Sequence, residues 1–280
     1  MHEQLDPRGE PPEEIRLPDA PRSMSLPDFF KGEQLTRQRN LYDPASTEPF
    51  KISRSRIDLF VSCEQCFYLD RRLGVERPDL PAFTLNNAVD SLMKREFDIY
   101  RATQTPHPLM VAHGIDAVPL AHPDLEKWRD SLRRGAEVPV PGTRLRFAGG
   151  VDDLWMNSRG EVHVVDYKAT STTKPITLDG PFKAAYLRQV EMYQWIFKEL
   201  GLFPISPVAY FVYVNGDASG PRFDARLPFK MEILAHTGDS GWVRDTLVRA
   251  AACLESDTVP PPSRDCAHCR FRAGAAAAER

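Results

Sequence analysis

The chain predicts a mixed α/β fold on three observations. Two segments with strand alternation, Leu145 to Met156 and Val162 to Ser171, flank a short turn. Helical spacing of apolar residues precedes them in LNNAVDSLMKREFDIYR and follows them in LRQVEMYQWIF. A run alternating aromatic and β-branched groups, YFVYV, comes after the second helix. Helix, hairpin, helix, strand is the order of a mixed sheet flanked by helices.

Each element has its own signal. Eight of the 25 prolines fall before Lys51, in stretches such as PRGEPPEE and LPDAPRS, so residues 1 to about 45 are expected to be a disordered or loosely docked arm. Within it, Leu26 to Phe30 is a candidate motif for a protein partner or for self-docking. From Leu85 to Arg101, Val89, Leu92, Met93, Phe97 and Tyr100 recur at three and four. Leu125, Trp128 and Leu132 fit a short amphipathic helix. In the hairpin, Ser158, Arg159 and Gly160 form a three-residue loop whose glycine suits the left-handed position. Gly201 supplies the stop for the helix of LRQVEMYQWIF. Ser206 to Gly216 reads as a strand in the sheet core beside Val162 to Ser171, and PRFDARLPFKMEILAH reads as a further strand pair or edge. Residues 240 to 256 form a last helix, and AGAAAAER, 273–280, a frayed helical tail.

The hairpin carries the chemistry. Side chains alternate along a strand, so Val162, Val164, Asp166 and Lys168 share one face while His163, Val165 and Tyr167 share the other. If Asn157 pairs with Glu161, Asp152 falls opposite Asp166, and Asp153 faces away. Directly opposed residues have Cβ atoms about 5 Å apart, close enough for two carboxylates to share a divalent cation. Without a cation the pair would repel and one acid would be harder to ionise. Mg²⁺ prefers such oxygen ligands and commonly uses one or two carboxylates together with substrate phosphate. Lys168 stands where it can orient or deprotonate a metal-bound water, or neutralise charge developing on a phosphorane. A solvated hairpin with a cross-strand charge pair fits less well, because VHVV and Tyr167 make the strand largely apolar.

Gly149 to Asp152, followed by an apolar strand ending in Asp166, Tyr167 and Lys168, resembles the PD-(D/E)XK nuclease superfamily. The closer similarity is to its RecB-like branch, which includes the CRISPR-associated RecB-like exonucleases and the AddB-type nuclease domains. Gln189 and Tyr193 match that branch's Gln-x-x-x-Tyr on the helix after the hairpin, and their spacing puts them on one helical face. Ile52 to Leu69 resembles the branch's leading segment, in which a Ser-x-Ser turn starts an amphipathic helix that runs to a Cys and Phe-Tyr. Ser53 or Ser55 would accept a hydrogen bond from a free amide at that helix start.

The resemblance implies a restriction-endonuclease-like core and a metal-dependent DNA nuclease of repair, recombination or phage- and CRISPR-related processing. Asp152 and Asp166 would hold Mg²⁺ or Mn²⁺, with the backbone carbonyl of Tyr167 as a further ligand. Lys168 would assist the water, and Gln189 and Tyr193 would position phosphate, base or Lys168. RecB-like members usually place a metal-binding His on the helix before the hairpin; this chain has Asp90 there, an oxygen ligand suited to the same ion. The alternative is an inert member of the fold that binds DNA or a protein.

The cysteines form a second set. Cys63 and Cys66 are spaced C-x2-C, as are Cys266 and Cys269, with 199 residues between the pairs. They are expected to clasp the beginning of the domain to its end. The resemblance implies a [4Fe-4S] cluster, although some relatives split the cysteines one and three; a tetrahedral zinc site with four thiolate ligands is equally open. His268 is a possible substitute ligand, and Cys253 is a small hydrophobe in an apolar helix.

The net charge of −3 lacks the basic signature of a non-specific nucleic-acid binder. Short clusters remain that can line a phosphate path: Lys51, Arg54 and Arg56; Arg71, Arg72 and Arg77; Arg129, Arg133 and Arg134; Arg144 and Arg146. No stretch reaches the roughly 20 apolar residues of a membrane span, and no charged-then-apolar leader is visible, so a soluble cytoplasmic protein is expected.

Overall fold

The computed structural model describes residues 36–78, 84–131, 133–180 and 183–279. Residues 1–35, with most of the expected arm and its Leu26 to Phe30 motif, lie outside them, as does Leu132. Residues 36–45 pack on the body: Tyr42 is buried against Phe50, and Arg37 pairs with Asp70.

The strands are β1 (Phe50–Ser53), β2 (Val118–Pro119), β3 (Ala136–Pro139), β4 (Leu145–Gly149), β5 (Asp153–Met156), β6 (Val162–Thr170), β7 (Val208–Gly216) and β8 (Phe229–Thr237). The helices are α1 (Arg54–Ser62), α2 (Glu64–Arg72), α3 (Thr84–Thr103), α4 (Pro108–Ala112), α5 (Leu125–Arg129), α6 (Ala184–Leu200), α7 (Trp242–Glu255) and α8 (Ala267–Ala278). A mixed five-stranded sheet has the order β2-β5-β6-β7-β8, with β6 and β7 parallel and the other neighbours antiparallel. A second sheet, β1-β4-β3, is also mixed. Parallel β6 and β7 need a crossover, and α6 supplies it.

Two apolar layers sandwich the large sheet. Val162 and Val164 of β6 and Phe211 of β7 pack with Val190, Ile196 and Phe197 of α6 and Leu247 of α7. On the other face Trp155, Val165, Tyr167 and Val212 pack with Val89, Met93 and Phe97 of α3. β6 is thus buried on both faces, and alternation aims Asp166 and Lys168 toward α6.

Several expectations are corrected. Leu145 to Met156 is not one strand but β4 and β5, which belong to different sheets. The chain is pinned between them: the Val151 amide donates to the Trp128 carbonyl (3.1 Å), and a Cβ on Gly150 would lie 2.4 Å from Ser131 Cβ. Of the two alternatives for PRFDARLPFKMEILAH, the edge strand holds: β8 ends the five-stranded sheet, and a turn with Asp224 and Ala225 at positive φ precedes it. Leu92 is exposed and Tyr100 half-buried, since the buried stripe of α3 is only Val89, Met93 and Phe97. Ser53 occupies the N-cap of α1, yet neither serine caps it: the two hydroxyls bond each other at 3.0 Å. The C-terminal tail is helical as expected, continuing α8 to Ala278.

Candidate active site

The site arises where the β5–β6 ladder ends. Asp153 of β5 pairs with Val165, a register in which Asp152 stands opposite Asp166, and the Asn157 amide donates to the Glu161 carbonyl as that register requires. β5 begins at Asp153, so beyond Val165 this side of β6 has no strand partner. The Asp152 carboxylate takes the vacant ladder position and accepts from the Tyr167 amide at 2.9 Å. N–H and C=O of one strand residue leave from the same edge, so the Tyr167 carbonyl also opens toward Asp152.

Asp166 and Lys168 point together toward α6. The Lys168 ammonium pairs with Asp166 Oδ2, an oxygen that is buried and receives no directed hydrogen bond. Gln189 ties the group together: its Nε2 donates to Asp166 Oδ1 (2.7 Å) and to the Tyr193 hydroxyl (3.3 Å), and its Oε1 accepts from Lys168 Nζ (3.4 Å). Lys168 also lies 4.5 Å above the Tyr186 ring. Asp152, Lys168, Gln189 and Asp90 line one cavity of about 330 Å³; Asp166 is fully buried and touches it only through its contacts with Lys168 and Gln189.

Electrostatics follow from burial. Desolvation pushes Asp166 up to about 6, against the attraction of Lys168 and assisted by Asp152. Burial works against the charge of Lys168, but Asp166 and Asp152 outweigh it and hold the ammonium above its usual range. Asp90 is raised by burial and by the charge of Asp152.

Lys94, which sequence reasoning missed, stands between Asp90 and Asp152, 2.8 Å from one carboxylate and 3.5 Å from the other. Its position four residues after Asp90 was the available signal. Arg54, noted only as part of a basic cluster, also lines the cavity. Asp153 faces away and is fully buried, accepting from Arg101 (2.6 Å), Arg129 (3.3 Å) and the Tyr167 hydroxyl (2.7 Å).

The donor set fits a hard divalent ion. It offers the Asp152 carboxylate, Asp166 Oδ2, which is ion-paired with Lys168 but accepts no hydrogen bond, and the Tyr167 carbonyl, all oxygens. Asp90 is held off by Lys94. Among the described residues, the one group of three or more candidate ligands within 4.8 Å of one another is Cys63, Cys66, Cys266 and Cys269. These thiols are buried, with Sγ separations of 3.5 to 3.8 Å for three pairs. They join the α1–α2 corner to the start of α8. Burial raises the Cys266 thiol, but hydrogen bonds within the quartet bring it down to about 6, and the Arg77 guanidinium lies 3.3 Å from its sulfur. His268 is exposed and outside the quartet. Cys253 is half-buried at the edge of the core.

The mixed sheet, its helical layers and the cysteine cluster joining its N- and C-terminal parts define a restriction-endonuclease-like protein. The chain belongs to the PD-(D/E)XK nuclease superfamily, whose family model matches residues 51–273. No curated protein matches it significantly by sequence. Among solved structures it is similar to SSO0001, with 15% identity over 81% of this chain and 86% of that one and a TM-score of 0.41. It is also similar to LHK-Exo, solved in complex with dAMP, with 12% identity over 82% and 95% of the two chains and a TM-score of 0.36. Among the described residues, no helix is long and apolar enough to cross a membrane.

Proposed function

We propose that the protein is a metal-dependent deoxyribonuclease of the RecB-like branch. The observation that carries this reading is the convergence of Asp152, Asp166 and Lys168 at the open edge of β6, braced by Gln189. Asp152, Asp166 and the Tyr167 carbonyl would hold Mg²⁺ or Mn²⁺, which when bound polarises the phosphate and acidifies a water. Asp90 would supply a further oxygen once a divalent ion makes the Lys94 charge redundant.

The chain's own groups do the rest. Two acids keep Lys168 protonated, so it stabilises negative charge on the attacked phosphate and does not abstract a proton. Gln189 is a positioning residue that fixes Asp166 and Lys168, and Tyr193 backs it. The cysteine quartet holds a structural centre that fastens α8 to α1 and α2. Three of its six sulfur separations, 3.5 to 3.8 Å, are near the edge of a zinc–thiolate tetrahedron with bonds of about 2.3 Å, and a [4Fe-4S] cluster would spread them; visible absorbance and metal analysis tell the two apart. DNA is the proposed substrate, and a protein partner for the N-terminal arm belongs to the same reading.

The test is cleavage of linear single- and double-stranded DNA with Mg²⁺ or Mn²⁺. Activity present in the native protein and lost in Asp166→Ala and Lys168→Ala supports the proposal. A native preparation no more active than those variants leaves the inert DNA- or protein-binding module, which the neutralising contacts of Lys94 favour.

A further inference from the structure

A second cavity, of about 580 Å³, adjoins the site just described. Its lining includes Lys51, Arg54, Arg56, Arg71 and Arg134, and none of the described residues lining it is acidic. Arg54 lines both cavities, and Tyr193, whose hydroxyl meets Gln189 in the catalytic group, forms part of this wall. The basic cavity is therefore one side chain away from the reacting centre.

Its cations are only partly neutralised by the protein. Arg37, Arg56 and Arg71 converge on the single carboxylate of Asp70, at 3.0, 2.8 and 3.0 Å, with Glu76 as the second acid in reach. Three guanidiniums against two carboxylates leave a surplus positive charge. Lys51 and Arg146 likewise share Glu137, whereas Arg134 at the rim pairs with Asp130 at 3.0 Å. Arg54 makes no carboxylate ion pair within 4 Å among the described residues; burial works against its charge, while Tyr193, Asp166 and Asp58 hold it protonated. The helix beneath adds to the field: α1 starts at Arg54 without a side-chain cap, because Ser53 is engaged with Ser55, and uncapped first-turn amides favour an anion. A cavity of this size, lined by cations and hydroxyls, suits a phosphate with its sugar.

We propose that this cavity is a subsite for a backbone phosphate of the nucleic-acid strand, next to the phosphate being cleaved, with Lys51 and Arg134 gripping it from the rim and Arg54 bridging the two positions. The proposal rests on the nuclease reading and extends it from the scissile bond to the path of the strand. It explains how a chain with net charge −3 holds a polyanion: the positive charge is concentrated along one short track.

The experiment measures binding apart from cleavage. In an Asp166→Asn background, a fluorescent single-stranded oligodeoxynucleotide is titrated across a potassium chloride series, with Lys51 and Arg134 both native, both alanine or both glutamate. Each lost phosphate contact should flatten the slope of log K against log salt by about 0.7. The alanine pair should bind about tenfold more weakly at low salt and the glutamate pair more weakly again, with the differences closing at high salt. In the otherwise native protein the alanine pair should raise KM with little change in kcat. Both residues are exposed, and thermal melts confirm that the variants fold. An unchanged slope in variants of a protein that cleaves DNA overturns the subsite alone. A native protein that cleaves nothing, while its binding follows the graded losses, overturns the nuclease reading and leaves the subsite standing. Absence of binding by every form overturns both.

Discussion

At the scale of single residues, the proposed metal site turns on the charge of one buried acid. Asp166 is fully buried and pushed up to about 6 by desolvation, so part of its population is protonated in mildly acidic solution. Its folded pKa exceeds the ordinary value of about 3.9, and as pH rises through that interval the group loses its native-state preference for a proton and stability falls. A divalent ion reverses this by favouring the carboxylate. Apparent Mn²⁺ affinity, followed by calorimetry, is therefore expected to weaken up to tenfold per pH unit below about 6 and to level off above; Asp166→Asn should bind poorly at every pH without that dependence. Lys168 has the opposite character, held charged by Asp166 and Asp152. Lys168→Ala should lower turnover by about 10²- to 10³-fold with Mn²⁺ affinity retained. A turnover loss that recovers with rising pH in the native protein, as though Lys168 had to lose its proton, would contradict the role assigned to it.

At the scale of elements, what positions these residues is a chain that changes sheets. β4 ends at Gly149 and β5 begins at Asp153, and the intervening residues are clamped against the end of α5. Gly150→Ala would place a methyl 2.4 Å from Ser131 Cβ and 2.6 Å from its Cα. Relief requires backbone movement two residues from Asp152, at a cost of about 1–3 kcal/mol, and activity should fall more than stability. Asp153 carries a different load. Its buried carboxylate neutralises Arg101 and Arg129 on the α3 face together with the half-exposed Asp98, so Asp153→Ala leaves two poorly solvated guanidiniums sharing Asp98; urea unfolding should show a loss of up to about 3 kcal/mol. The sequence makes some of this legible and hides the rest. The register that sets Asp152 opposite Asp166 follows from the turn at Ser158 to Gly160, because hairpin pairing is local. The break at Gly150 is invisible, since it depends on Ser131 and Trp128, which approach only in three dimensions. Arg101 and Arg129 look like surface charges for the same reason, and Lys94 like an ordinary helix pair with Asp90. Period-two and period-four patterns report which way a side chain points; they do not report which distant charge meets it there.

At the scale of the whole molecule, the cysteine quartet determines how the C-terminal helix is held. α8 exposes most of its side chains and buries only Cys269 among its own residues, so hydrophobic packing contributes little to its docking. Around it, Gln65 accepts from Arg272 at 2.6 Å, an exposed contact of small worth, and Arg77 reaches Cys266. The stronger tie, under the proposed metal centre, is the set of four sulfurs, which brings the α1–α2 corner to a segment some 200 residues later. A metal bound there constrains the unfolded chain through a very long loop and supplies its own binding free energy to the fold. Cys66→Ser, or stripping the native protein with a strong chelator, should therefore release α8 first. Trypsin should cut at Arg270 and Arg272 while the five-stranded sheet stays folded, and the melting transition should split or broaden. The catalytic cavity shares no lining residue with the quartet, so Mn²⁺ affinity at Asp152 and Asp166 should change little in the stripped protein. Loss of the whole fold in a single step would instead make the quartet part of the core's own cooperativity, and not a clasp on one helix.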